Sequence, residues 1–436
     1  MPKAKKAPAQ EEFTPIDRNN IPRVDTDELL DSLQAKLGGE GVVMQRGEEV
    51  EGRFDLRRPS GILQLDLACG GGLPAGGLSQ IDGLDGIGKN LLLNHFLAKQ
   101  QRIHKENTNL AMVCFEGGFD KLFARALGVR VALSDYEIEG IGRERHLRGQ
   151  PELTEEEVAD LKDQIGNFHI FRGAAAEKIL EGVADCIASN SYQIIGIDSW
   201  DAMLTQSEDN KDLEDNAKVA DASNVQTRWM RKVFGALAPQ KICPSCGSRP
   251  LDFKVFGKGG YEYKCGNSKC GWKGQKPFLW ENETTIIGLR QVRANMKAYG
   301  HAREYRTTGA YALRHGKMID IQLRKGKPIT IKDKDVGKEI VWELTKGKAG
   351  THEGLTGIYS YYFNPPQIDI AADLENYCTA NEVITYGGPK AGFMLGDMKL
   401  GNKEEMQRRI EEDEDFQSLL RIEAIKHAGQ GHVRYK

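Results

Sequence analysis

Residues 83–90 read GLDGIGKN. Gly83, Gly88 and Lys89 stand at the spacing of a phosphate-binding loop, G-x-x-x-x-G-K-[ST]. In such a loop, backbone N–H groups at the start of a helix converge on an anion. Gly83, Gly86 and Gly88 permit the turns, Lys89 sets a positive charge on the outer phosphates, and Asp85 and Leu91 complete the expected binding segment. Position 90 departs from the pattern. Ser or Thr there ligates magnesium through a hydroxyl. Asn90 offers an amide oxygen, which also suits a hard cation but is longer and planar. Three outcomes stay open: slow hydrolysis, binding with little turnover, or a degenerate relative kept as a scaffold or mediator.

A second cluster is Cys243, Cys246, Cys265 and Cys270: C-x2-C, eighteen residues, then C-x4-C. Four thiolates at this spacing form a closed tetrahedral zinc site between two knuckles, structural in kind because no position is left for water. Four reduced thiols without metal are the alternative. Cys69, Cys114, Cys186 and Cys378 are scattered and read as small buried hydrophobes.

Carboxylates at strand ends extend the first cluster. The apolar runs LAMVCF (110–115) and YQIIGID (192–198) lead into Glu116 and Asp198. Asp198 would hold magnesium through water, and Glu116 would orient a water toward the terminal phosphate. Strand-end carboxylates also cap neighbouring helices, and that reading stands beside the catalytic one. Both runs, with TTIIGL (284–289), have the length and purity of strands buried on two faces. LLLNHFLAKQQR reads as a helix directly after the loop. Thr26 caps a helix over 27–37, Thr154 and Glu157 make a capping box, and the tail from 402 to 429 is helical. KMIDIQL and EIVWEL are further strands. Asp320 and Gln322 alternate with Ile319, Ile321 and Leu323, which predicts one wet face.

These elements fill a 436-residue chain with 39% apolar residues, enough for a real core and for two or three domains. A net charge of −3 excludes a globally basic nucleic-acid binder but leaves local basic loops open. No run reaches membrane-spanning length, and MPKAKKAPAQ lacks a secretory core. A cytoplasmic protein with reduced cysteines is expected.

The order of the parts resembles RecA-type recombinases from about Leu29 to Gly429. GILQLDLACGGGLPAGG precedes the phosphate loop, and FEGGFDKLFARALGV follows it with a Glu at a strand end. The strand in IIGIDSW ends at Asp-Ser and that in IIGLRQVR near Gln-x-Arg, a Thr-Thr-Gly stretch leads the next strand in RTTGAYALRHGKMIDI, and LTKGKAG carries Lys-x-Lys. The resemblance implies ATP and Mg2+ as cofactors, beside the Zn2+ read from the cysteines. It implies Glu116 as the catalytic carboxylate, with Asp120 on the adenine edge and Phe123 on its face. Asn90 and Asp198 would support magnesium, Gln291 would sense the terminal phosphate, and Lys346 and Lys348 would reach a neighbouring subunit's ATP. Solvated lysines and a core phenylalanine are the plainer readings of the last residues.

Recombinases of this type hold single-stranded DNA with two loops, which the resemblance sets at 205–231 and 293–309. The second, RANMKAYGHAREYRTTG, carries Arg293, Lys297, Arg303, Arg306, Thr308 and Gly309 with Tyr299 and Tyr305 between cations, a pattern suited to phosphate contact and base stacking. The first opens with the acidic QSEDNKDLEDNAKVAD, unfavourable beside phosphate. Its contacts would come from Thr227, Arg228 and Arg231 in TRWMRK.

The expected architecture is α/β: a RecA-like P-loop ATPase core with a mostly parallel sheet, an inserted zinc ribbon and a small C-terminal α/β lobe. Its segments are a basic tail (1–25), an oligomerisation helix and linker (26–55), the core (56–240 and 281–365), the ribbon (241–280) and a DNA-gathering lobe (366–436). The expected activity is ATP-dependent pairing and strand exchange by a filament on single-stranded DNA. Partners would be homologous duplex DNA, further copies of the chain and single-strand-binding or mediator proteins, without a membrane. A weakly hydrolysing filament or mediator is the alternative, and a helicase-like motor a third. The departures suggest a divergent, viral member, which would work in a host cytoplasm.

Overall fold

The apolar runs become the centre of one large sheet. The computed structural model describes residues 26–37, 56–210, 221–249, 251–256, 260–294, 305–307 and 311–429. Six strands run parallel in the spatial order Lys317–Ile331, Gly77–Gly83, Thr285–Ala294, Ile194–Asp198, Asn109–Cys114 and Asn167–Phe171. Three antiparallel strands, Lys334–Gly347, Thr356–Phe363 and Pro366–Ile368, extend the sheet beyond Lys317–Ile331. Tyr305–Thr307 pairs with the end of Thr285–Ala294.

Alternation along each central strand feeds two cores. Leu110, Met112 and Cys114 join Ile81, Leu289, Ile321 and Trp342 beneath the helix Lys89–His104. Ala111 and Val113 join Ile195, Ile197 and Ile286 against the helices Ala176–Ala188 and Asp221–Ala236. Covering both faces is what lets these strands be apolar throughout.

Two expectations need correction. Asp320 is not on a wet face: it is 5% exposed and forms a buried ion pair with Lys317. Alternation read a hydrated side chain where a nearby lysine supplies the compensation instead. The tail forms two helices, Lys403–Glu412 and Glu414–His427, because Asp413 turns to cap the second and accepts the Phe416 N–H at 2.8 Å. Leu63, Leu67, Leu374, Cys378, Met406, Ile410, Phe416 and Leu420 form the core of that C-terminal region. Cys69, Cys114 and Cys378 are buried and Cys186 is partly so.

The chain divides into two units, Glu51–Ala238 with Glu281–Lys436, and Met1–Val50 with Pro239–Trp280. The second contains the helix Thr26–Leu37 and the cysteine-rich insert. Two small antiparallel sheets build the insert: Leu251–Phe256, Gly260–Cys265 and Lys273–Gly274, and Gln240–Ile242 with Phe278–Trp280. Gln34 of the helix donates to the Tyr263 hydroxyl at 2.8 Å.

Candidate nucleotide site and metal centre

The strand Gly77–Gly83 is buried along its whole length and delivers the phosphate loop at the sheet's edge of strand ends. Gly86 and Gly88 take φ of 63° and 115°, values that a β-carbon disfavours. Gly88 then opens the helix Lys89–His104. Lys89 Nζ donates to the carbonyls of Gly83 (3.2 Å) and Leu84 (2.9 Å). Burial lowers the Lys89 pKa, and Asp85, Glu116, Asp198 and Asp201 oppose that shift. The Asp85 carboxylate accepts the Gly86 N–H at 2.9 Å. Leu91 is buried in the core, so only its backbone can face a ligand.

Asn90 does not stand apart from this group. Its Nδ2 donates to Asp198 Oδ2 at 2.9 Å, which turns the amide oxygen away from that carboxylate. Burial raises the Asp198 pKa; the Asn90 bond and Lys89 lower it, and Glu116 raises it. Glu116 Oε1 accepts from Ser199 Oγ at 2.6 Å. Gln291 lies in register with Gly83 on the adjacent parallel strand, and its N–H donates to Asp201 Oδ2 at 2.7 Å. Lys89, Asn90, Glu116, Asp198 and Gln291, distant in sequence, thus cluster around one loop.

Other expected ligands stand differently. Asp120 Oδ1 accepts the Phe123 N–H at 2.9 Å and caps the helix Lys121–Ala126. Phe123 is partly buried against the main core. Lys346 and Lys348 both donate to the His315 carbonyl, at 3.3 and 3.0 Å, and their bonds go to the end of a helix, not to this chain's phosphate loop. Two residues went unread in the sequence, Asp201 and Lys338, and Ser199 was read only as part of the Asp-Ser strand end, without a role of its own. Lys338 donates to the Gly86 carbonyl at 2.8 Å from the strand Lys334–Gly347. Ser199 and Asp201 had a signal, since they flank Trp200 just past the Asp198 strand end. Lys338 had none, because its place depends on how two strands pair.

Thr227, Arg228 and Arg231 lie on the helix Asp221–Ala236. The Thr227 hydroxyl donates to the Ser223 carbonyl at 2.8 Å. Arg228 and Arg231 are exposed. Arg293 and Arg306 are backbone partners in the antiparallel ladder just past Gln291. Lys297, Arg303, Thr308 and Gly309 lie outside the described residues.

In the other unit, the four Sγ atoms of Cys243, Cys246, Cys265 and Cys270 lie within 4.8 Å of one another. The Cys243–Cys270 and Cys246–Cys265 sulfurs are 3.6 Å apart. Tetrahedral zinc, with Zn–S near 2.3 Å, sets sulfurs about 3.8 Å apart, so the donor set fits the ion. Backbone bonds shape the knuckles: Gly247 N–H to the Cys243 carbonyl at 2.8 Å, and Cys270 N–H to the Asn267 carbonyl at 3.0 Å. Tyr263 is 2% exposed and belongs to the ribbon's interior. Lys254, Lys264 and Lys273 are exposed.

No helix among the described residues is long and apolar enough to cross a membrane. The RecA N-terminal domain family matches residues 26–135. The chain is 26% identical to the RecA protein of Porphyromonas gingivalis over 423 residues, covering 94% of this chain and 97% of that one. It is 25% identical to the RecA protein of Thermus thermophilus over 408 residues, with 92% and 94% covered. The RecA protein of Oleidesulfovibrio alaskensis matches at 22% over 412 residues, with 92% and 90% covered. Across that distance most residues have changed while the alignment runs nearly end to end, and the chain is a divergent relative of the RecA proteins.

Proposed function

We propose that the protein is an ATP-dependent DNA recombinase, assembling as a filament on single-stranded DNA and promoting pairing and exchange with a homologous duplex. The observation that carries this reading is the gathering of Lys89, Asn90, Glu116, Asp198 and Gln291 about the loop 83–88. Loop N–H groups and Lys89 would bind the outer phosphates of ATP. Glu116, held by Ser199, would orient a water and take its proton as attack begins. Magnesium, when bound with the nucleotide, offsets phosphate charge; the Asn90 amide oxygen and Asp198 are the residues to hold it. Lys346 and Lys348 would approach the neighbouring subunit's nucleotide and add positive charge there.

Gln291 supports a link from nucleotide to DNA. It sits beside Gly83 at one end and two residues before Arg293 at the other. Arg228 and Arg231 offer exposed cations for the DNA backbone. The exposed lysines of the zinc ribbon support an added contact to DNA; deleting residues 243–273 would then lower affinity and flatten its salt dependence, and unchanged values would end that idea.

The test is ATP hydrolysis with and without single-stranded DNA, beside Lys89→Ala, together with strand exchange between homologous substrates. DNA-stimulated turnover lost in Lys89→Ala, with exchange by wild type, is the expected result. One observation favours a second reading, a filament or mediator that binds ATP and turns it over weakly: the Asn90 amide is engaged with Asp198 where a hydroxyl would ligate metal. Turnover silent in wild type and gained in Asn90→Thr would decide for it.

A further inference from the structure

The antiparallel hairpin of Lys317–Ile331 and Lys334–Gly347 packs on the phosphate loop at three points. A β-carbon on Gly83 would stand 3.4 Å from Leu323 Cβ, and one on Gly88 would stand 3.0 Å from Ile340 Cδ1. Lys338 precedes Ile340 by two residues, so both side chains leave the strand on the same face. Its Nζ reaches the Gly86 carbonyl at 2.8 Å. The backbone register that seats Ile340 over Gly88 therefore also seats Lys338 over the loop apex. Burial, with Lys325 nearby, lowers the Lys338 pKa. Among the described residues no carboxylate pairs with it, and a half-buried ammonium bonded to one carbonyl is under-compensated.

Lys89 holds the Gly83 and Leu84 carbonyls, so carbonyls of one loop accept from two ammonium groups. Asn90 stands where a hydroxyl would bind metal, with its amide nitrogen committed to Asp198. We infer that Lys338 is a positioning residue of the phosphate loop and its second cation, supplied by the hairpin of the same chain, and that it offsets weak metal ligation by Asn90. The ligand class is a nucleoside triphosphate, recognised at its outer phosphates. Lys338 acts as a point charge through the loop it holds. This inference rests on the nucleotide site proposed above.

A double-mutant cycle tests it. ATPγS binding is measured by calorimetry at saturating magnesium for wild type, Asn90→Thr, Lys338→Gln and the double variant. Lys338→Gln is expected to weaken binding roughly tenfold in the Asn90 background, the size of one half-screened unit charge. In the Asn90→Thr background, where a hydroxyl holds the metal, the loss should fall to about threefold or less. Lys338→Arg should keep wild-type affinity, and Lys332→Gln at the hairpin turn should change nothing. The melting point of Lys338→Gln without nucleotide should stay within about 2 °C of wild type, because the amide can still donate to the Gly86 carbonyl while the charge is removed. Equal losses in both backgrounds, or no loss in either, overturn the inference while leaving the nucleotide site intact. Failure of both wild type and Asn90→Thr to bind ATPγS overturns the nucleotide site itself and the role of Lys338 with it.

Discussion

Arg290→Met strips a carboxylate inside the sheet of its closest cation. Arg290 and Asp82 are register partners on adjacent parallel strands. Arg290 Nε donates to Asp82 Oδ1 at 3.1 Å and Nη2 to Oδ2, and the side chains are 1% and 2% exposed. Lys317 and Asp320 form a second buried pair beside them. Burial, with the Asp320 charge, pushes the Asp82 carboxyl up to about 6 even with Arg290 in place. Removing one partner of a buried pair costs about 3–5 kcal/mol, because the other charge is left uncompensated. At about 2 °C per kcal/mol in a unit this large, the melting point should fall by roughly 6–10 °C. Arg290→Met with Asp82→Leu removes both charges and should melt within about 2 °C of wild type or above it. The pH sense follows from the raised pKa. Native Asp82 keeps a proton that the unfolded chain releases above about 4, so its contribution to stability declines up to about pH 6 and is level beyond. Without Arg290 the native pKa climbs further, so the deficit of the single variant should be larger at pH 8 than at pH 5. Thermal unfolding by circular dichroism at both values is the assay. A double variant as unstable as the single, or a single variant matching wild type at pH 8, refutes the argument.

Three further outcomes are expected. A β-carbon at Gly288 would clash with the Trp200 indole nitrogen, so Gly288→Ala should lose about 3 kcal/mol through overpacking, read as a drop in melting point. Asp373 accepts the Leu63 N–H at 2.6 Å while burial pushes its carboxyl up to about 7. The proton it keeps when folded makes its contribution decline from about pH 4 to about pH 7, so Asp373→Asn should flatten the pH dependence of melting across that window. Purified protein should release one zinc per chain to a chromogenic chelator after thiol modification, and Cys265→Ser should release markedly less.

The phosphate loop and the cysteine cluster were legible because each is a local pattern whose geometry follows from spacing. Four thiols at C-x2-C and C-x4-C need only two knuckles brought together, and a Gly-Lys loop needs only the helix behind it. Central strands were legible for a related reason: burial on both faces leaves continuous apolar runs such as Ile194–Asp198. The weaker strand Asn167–Phe171 was not, since its residues are partly exposed at the sheet's edge.

Pairing across the sheet lay beyond the sequence. Asp320 had the spacing of a hydrated residue, and only the neighbouring chains made it a buried partner of Lys317. Nothing in the sequence singled out Arg290, and register alone set it against Asp82. Lys338 was one lysine among many in a charged hairpin until strand pairing set it over Gly86. The sequence by itself determined the buried central strands, the helix behind the Gly-Lys loop and the cysteine knuckles, because those follow from local periodicity and from Gly, Lys and Cys spacing. Tertiary structure decided which charges meet, because a one-residue change of register sends a strand's side chains to the opposite face.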